Sequence, residues 1–190
     1  NGPLAGDPGR IHQEGMTARV AIEHAREQVA DAFGARSREV VFTSGATESI
    51  AAATWGARAR AAARSADSAD SADSAGGAGG HHAVDAHGEP VEDHVVLSSV
   101  EHSAVRGWAA RGRHTVVGVD RTGRVNPDEL IAAITDSTVL VHLQWANHEV
   151  GTLQPVAEVV AACRARGVLV HVDAAQAAGH VPIDFVASGA

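Results

Sequence analysis

The chain contains no lysine: all fifteen of its basic residues are arginine. Its single cysteine, Cys163, rules out an intrachain disulfide and makes a reducing cytoplasm the default compartment. The opening decapeptide "NGPLAGDPGR" has no apolar core, so it does not read as a signal peptide, and no apolar run approaches the ~20 residues of a membrane span. A basic patch is missing as well. Net charge is −8, and seven of the acids (Asp67, Asp70, Asp73, Asp85, Glu89, Glu92, Asp93) lie in 65–93, a stretch without arginine. That stretch accounts for all but one of the net negative charges, and the nearly neutral remainder gives nucleic-acid binding no electrostatic support. No Gly-x-Gly-x-x-Gly opens a helix after an expected strand, which removes the dinucleotide-binding reading.

What is present fits an ordinary globular chain. Hydrophobic residues make up 45% and charged residues 20% of 190 residues, enough for one domain or part of one. Apolar residues at Ile22, Ala25, Val29 and Phe33 predict a helix over most of 12–33, stopped at Gly34. "EVVFT" (39–43) predicts a buried strand, and an alanine-rich helix follows over about 47–64. Residues 65 to about 93 then repeat Ser-Ala-Asp and dissolve into glycine, the composition of a mobile surface insertion. Beyond it, strands are expected at 94–99, 114–120, 137–146 and 168–172, alternating with helices at 101–112, 126–135 and 155–166. Asn126 followed by Pro127 is a helix opening in itself. The alternation predicts an α/β fold with a mostly parallel sheet, whose ligands collect at the carboxyl ends of the strands.

Polar groups stand at four of those ends. After 39–43 comes "SGATES", where Ala46 and Thr47 open either a phosphate cradle or an ordinary capped turn. After 94–99 comes "EHSAV", where His102 suits ring stacking and acid–base work, or a structural hydrogen bond. After 137–146, Asn147 and His148 offer donors to a ligand oxygen or make a polar loop. After 168–172, Asp173 and Gln176 offer a partner for a protonated ring nitrogen, or a helix cap.

"IHQEGMTARVAIEHAR", "FTSGATES", "EHSAV", "NHEVGTLQPV" and "HVDAAQAAGHVPID", in this order, resemble the cysteine desulfurases of the class V aminotransferase family, pyridoxal-phosphate enzymes of fold type I. The resemblance implies that 1–190 is part of a pyridoxal 5'-phosphate-binding large domain, with helices on both faces of the sheet and 65–93 inserted in it. Ala46 and Thr47 would hold the phosphate, His102 would stack on the ring and serve as the catalytic acid–base, Asp173 would pair with the ring nitrogen, and Gln176 would bond the ring hydroxyl. Where the family shows two asparagines, this chain has Asn147 and His148, with His148 donating to the same hydroxyl oxygen.

The resemblance further implies L-cysteine as substrate, alanine and an enzyme-bound persulfide as products, a sulfur-acceptor protein for iron–sulfur cluster assembly or tRNA thiolation, and a homodimer. The family's Schiff-base lysine and persulfide cysteine are not among these residues, so the chain as it stands is expected to be inactive; Cys163 reads as a structural helix residue. Selenocysteine lyase or another class V aminotransferase is the near alternative, and a non-catalytic truncated paralogue acting by binding or dimerisation the distant one. His81, His82, Asp85, His87 and His94 have metal-ligand chemistry in a context that cannot preorganise a site, so no functional metal is expected.

Overall fold

The computed structural model describes residues 6–73 and 93–190, with 65–73 described as helical backbone alone. The chain divides into two compact units, Asn1–Thr43 with Pro182–Ser188, and Ser44–Val181 with Gly189–Ala190.

In the first unit, helix α1 (Gln13–Ala32) realises the helix expected over 12–33. His12 caps it by accepting the Gly15 N–H at Nδ1 (3.1 Å). At the other end Gly34 takes φ +66°, which lets Ala35 N–H reach the Ala30 carbonyl (2.8 Å) and Gly34 N–H that of Asp31 (3.4 Å). The stripe is shifted from the expected one: Gly15, Ala18 and Ala30 are buried, whereas Ile22 is exposed. A 3-10 turn follows at Ser37–Glu39, and the strand expected at 39–43 is absent. β-branched residues favour a strand only where a neighbour completes the ladder. Here Val41 is 77% exposed, and Phe42 lies under the Arg26 guanidinium at 5.1 Å instead. The sequence reading also missed a short helix at Phe185–Ser188, whose first N–H donates to the Phe33 carbonyl (2.7 Å).

The second unit carries four strands, β1 (His94–Ser98), β2 (His114–Val117), β3 (Thr138–Gln144) and β4 (Leu169–Asp173), in the order β2-β1-β3-β4 and all parallel. Its helices are α2 (Ala46–Asp73), α3 (Ser103–Ala109), α4 (Pro127–Ala132) and α5 (Val156–Ala165). The period-two alternation of side chains sorts the core into two layers. Val95, Leu97 and Leu140 pack with Ile50 and Ala57 of α2 and Val105 and Ala109 of α3. Val96, Val141 and Leu143 point the other way, onto Leu130 of α4 and Val156, Val159, Val160 and Cys163 of α5. Helices therefore cover both faces, as expected of central strands that read as continuous apolar runs.

Two boundaries differ for local reasons. β2 stops at Val117, short of the expected 120, and the chain is then turned by the Asp120 carboxylate, which accepts the Thr122 hydroxyl (2.6 Å) and the N–H groups of Thr122 (2.8 Å) and Arg124 (3.0 Å). Helix α2 runs on through the Ser-Ala-Asp triplets to Asp73, so 65–73 is helical and not the expected loop. Alanine at every third position sustains a helix already nucleated upstream, since propagation needs no new nucleus. Residues 74–92 of the expected insertion lie outside the described residues.

Candidate active site

Contacts along α2 fix its direction. Thr54 meets His142 in the middle of β3 (3.2 Å), and one turn later Arg58 reaches the Ala109 carbonyl (3.4 Å) and the Gly112 turn that leads into β2. The helix thus runs against the strands, and its first turn lies at their carboxyl edge. There the N–H groups of Ala46 and Thr47 have no acceptor within the helix, and the positive end of the helix dipole favours an anion. Glu48 takes the preceding Ser44 N–H (2.6 Å), and hydrogen bonds from the Ser44 side chain and backbone hold its carboxyl below the usual range.

At the end of β1, His102 caps α3: its Nδ1 accepts the Ala104 N–H (3.2 Å), which leaves Nε2 of an exposed ring to face a ligand. Across from it stands His148, ring centroids 6.4 Å apart and tilted by 60°. Asn147 beside it behaves differently from its neighbour. It is buried, its Oδ1 accepts the N–H groups of Glu149 (2.9 Å) and Val150 (3.0 Å), and its amide donates to the Val100 carbonyl (3.4 Å). Its side chain builds the loop that presents His148.

Asp173 ends β4 in register with Gln144 of β3. Its carbonyl accepts the Trp145 N–H (2.8 Å), its Oδ1 accepts the Ala175 N–H (3.0 Å), and the side chain is half-buried. Gln176 is exposed on the turn that follows.

Two groups escaped the sequence reading. Glu101 is 3% exposed; its Oε1 accepts the Ser98 hydroxyl (2.9 Å) and the Gln144 N–H (2.8 Å), while Oε2 is buried without a partner. Burial pushes this carboxyl up to about 7, helped by the charge of Asp173 and opposed by its two hydrogen bonds. The only sequence signal was a carboxylate beside His102, just past the end of an apolar strand.

The second is a pair of histidines, His142 and His171, register partners two residues before Gln144 and Asp173. Their Nδ1 atoms are 3.0 Å apart. Burial pushes both below the usual imidazole range, His142 to about 3, so both are neutral at pH 7. The Thr54 hydroxyl is spent on the Ile50 carbonyl (2.8 Å), so His142 donates Nε2–H to it, accepts at Nδ1, and receives Nδ1–H from His171.

His94, counted among the metal-ligand types, has both ring nitrogens committed to hydroxyls, Thr138 (2.8 Å) and Thr115 (2.9 Å). The other four candidate ligands lie outside the described residues. Cys163 faces the core with its thiol pushed up to about 11 by burial, far from the thiolate a sulfur nucleophile needs.

The donor set at this edge fits an anionic aromatic phosphate: a helix N-terminus and the Thr47 hydroxyl for the phosphate, imidazoles for a ring and its oxygen, and a carboxylate for a ring nitrogen.

Known proteins of one family resemble the chain. A cysteine desulfurase, IscS, of Methanosarcina thermophila is 36% identical over 184 residues, 94% of this chain and 39% of its own length. A solved NifS-like protein superposes with a TM-score of 0.73 at 28% identity, over 96% of this chain and 44% of its own. SspA, solved in complex with cysteine, gives a TM-score of 0.73 at 25% identity, over 97% and 47%. The chain spans about two fifths of the length of the curated relative it matches. The family model for class-V aminotransferases matches residues 5–73 and 81–190, and with the parallel sheet and its polar carboxyl edge this places the chain in the class-V aminotransferase family, with the fold of the type I pyridoxal-phosphate enzymes.

Proposed function

We propose that this chain forms the pyridoxal-phosphate-binding portion of a cysteine desulfurase that takes sulfur from L-cysteine and passes it to an acceptor protein. The observation that carries the reading is the convergence of the first turn of α2, His102, His148 and Asp173 on the carboxyl edge of one parallel sheet. The desulfurase named among the relatives and the cysteine held by SspA favour cysteine over other amino acids.

Pyridoxal phosphate, when bound, supplies a ring that accepts the electron pair released at the substrate's α-carbon. The residues of this chain do the rest. Ala46 and Thr47 hold the phosphate through their N–H groups and the Thr47 hydroxyl. Asp173 keeps a proton on the ring nitrogen, since a carboxylate alongside favours the charged form. His102, with Nδ1 held by Ala104, presents Nε2 to the ring and moves protons at the substrate. His148 and Gln176 hydrogen-bond the ring hydroxyl, and Asn147 keeps the His148 loop in shape.

The reading places the protein in a reducing compartment, the cytoplasm, consistent with the absence among the described residues of any helix long and apolar enough to cross a membrane. It also makes the working unit a homodimer, in keeping with Ile11 (94% exposed), Met16, Val20 and Trp55, large apolar side chains left in solvent by a single copy. The test is the native protein from its source. Alanine released from L-cysteine, by a polypeptide whose peptide map contains a lysine, is the expected result. A native protein that binds no pyridoxal phosphate and yields no alanine contradicts the reading.

A further inference from the structure

We infer that Glu101 is a positioning residue that straps the ends of β1 and β3 together as a neutral acid, so that Asp173, and not Glu101, supplies the carboxylate charge at these strand ends. The part that concerns a ligand rests on the functional reading above; the part that concerns the proton does not.

The argument begins with lone pairs. Oε1 of Glu101 accepts the Ser98 hydroxyl at the end of β1 and the Gln144 N–H at the end of β3, which occupies both of its acceptor positions. Oε2 is buried and has no partner. An ionised carboxylate would leave a bare negative oxygen in the interior, whereas a proton on Oε2 removes the charge and leaves a far cheaper neutral hydroxyl.

The charged group whose field reaches Glu101 is Asp173 on β4, of the same sign, and it opposes a second ionisation. Ser98 and Gln144, from β1 and β3, are neutral, and burial pushes His171, which feels the charge of Asp173, toward its neutral form. Asp173 is more open and accepts the Ala175 N–H, whereas the free oxygen of Glu101 has neither solvent nor a partner. The two acids therefore divide their roles, and His102, the next residue after Glu101, takes its place from the same strap.

Ionisation of Glu101 at higher pH puts a second negative charge beside Asp173 and strengthens the hold on a cationic ring. The experiment has two readouts on the full chain. In the first, carboxyl-labelled glutamate is followed by carbon NMR across pH. One resonance should titrate near neutrality, well above the exposed glutamates, and vanish in Glu101→Gln. In the second, the affinity for pyridoxamine 5'-phosphate, which needs no lysine, is measured for wild type and E101Q. Their affinity ratio should be near one at pH 5.5 and rise several-fold in favour of wild type by pH 8.5, as a second negative charge is added near the cationic ring. E101Q keeps the oxygen acceptor and should fold; if it does not, the wild-type titration decides alone.

A Glu101 resonance that titrates with the exposed glutamates, or an affinity ratio that is flat across pH, overturns the inference. If neither protein binds pyridoxamine phosphate, the functional reading fails, and the NMR titration still decides the inference.

Discussion

Asn147 and Thr54 show how a single side chain can matter without touching a ligand. The Asn147 carboxamide accepts two loop N–H groups and donates to the Val100 carbonyl, so its removal should loosen the loop that carries His148. Asn147→Ala is expected to lower stability by about 1–3 kcal/mol, the loss of a buried hydrogen-bonded amide, read from urea midpoints. Thr54 sets the proton positions of the histidine pair. Thr54→Val should leave the His142 Nε2–H buried without an acceptor, at about 1–3 kcal/mol, and Thr54→Ser should restore most of it. Nitrogen NMR of labelled histidine should find His142 as the Nε2–H tautomer and His171 as the Nδ1–H tautomer. The opposite assignment would remove the role given to Thr54.

Among the elements, the caps make the sharpest predictions. Gly34 holds φ +66° at the end of α1, and a β-carbon there would lie 3.0 Å from Asp184 Oδ1. Gly34→Ala should therefore cost about 1–2 kcal/mol, from the left-handed backbone alone. Asn126 accepts the Asp128 N–H at the start of α4 (3.0 Å), and Asn126→Ala should cost about 1 kcal/mol, as a shift in thermal midpoint.

These elements also show what the sequence could reveal. α1, β1, β3, α4, α5 and β4 were legible because their apolar pattern or their punctuation is clear, as at Gly34 and Asn126–Pro127. Residues 39–43 were not, because "EVVFT" states a preference for a strand and says nothing of a partner to pair with. The Ser-Ala-Asp triplets misled in the other direction, since their polarity suggested a loop while their alanines carried the helix to Asp73. At the site, the sequence singled out "EHSAV", "NHEVG" and "HVDAAQ" after strands that form, and "SGATES" after one that does not. Glu101 and the His142–His171 pair could not, since their importance lies in burial and in contacts across strands that no local pattern encodes.

At the scale of the whole molecule, buried acids and bases make stability depend on pH with opposing signs. His142 sits at about 3 in the folded chain, and burial likewise lowers His171 and His94. The contribution of His142 is complete above the ordinary value near 6.5 and is lost as pH falls from there toward 3, because the unfolded chain takes up protons first, and the other two change in the same direction. Glu101 acts the other way. Its folded value of about 7 lies above the usual 4.5, so its contribution is complete below 4.5 and declines by about 3 kcal/mol as pH rises to 7. Between pH 5 and 7 the two trends offset each other, and thermal midpoints of the wild type should change little. Glu101→Gln removes the falling component, so its midpoint should climb with pH over that range. A variant that tracks the wild type would mean that Glu101 is ionised in the folded chain at acid pH.

The central claim is that the first turn of α2 and the end of β4, far apart in sequence, hold two ends of one ligand. Calorimetric titration of the full chain with pyridoxamine 5'-phosphate, beside Thr47→Val and Asp173→Asn, tests it most directly. The account predicts one saturable site per chain, weakened several-fold by T47V through a lost phosphate hydrogen bond and about ten- to a hundredfold by D173N through the lost charge on the ring nitrogen. No saturable binding, or binding that neither substitution changes, would contradict it.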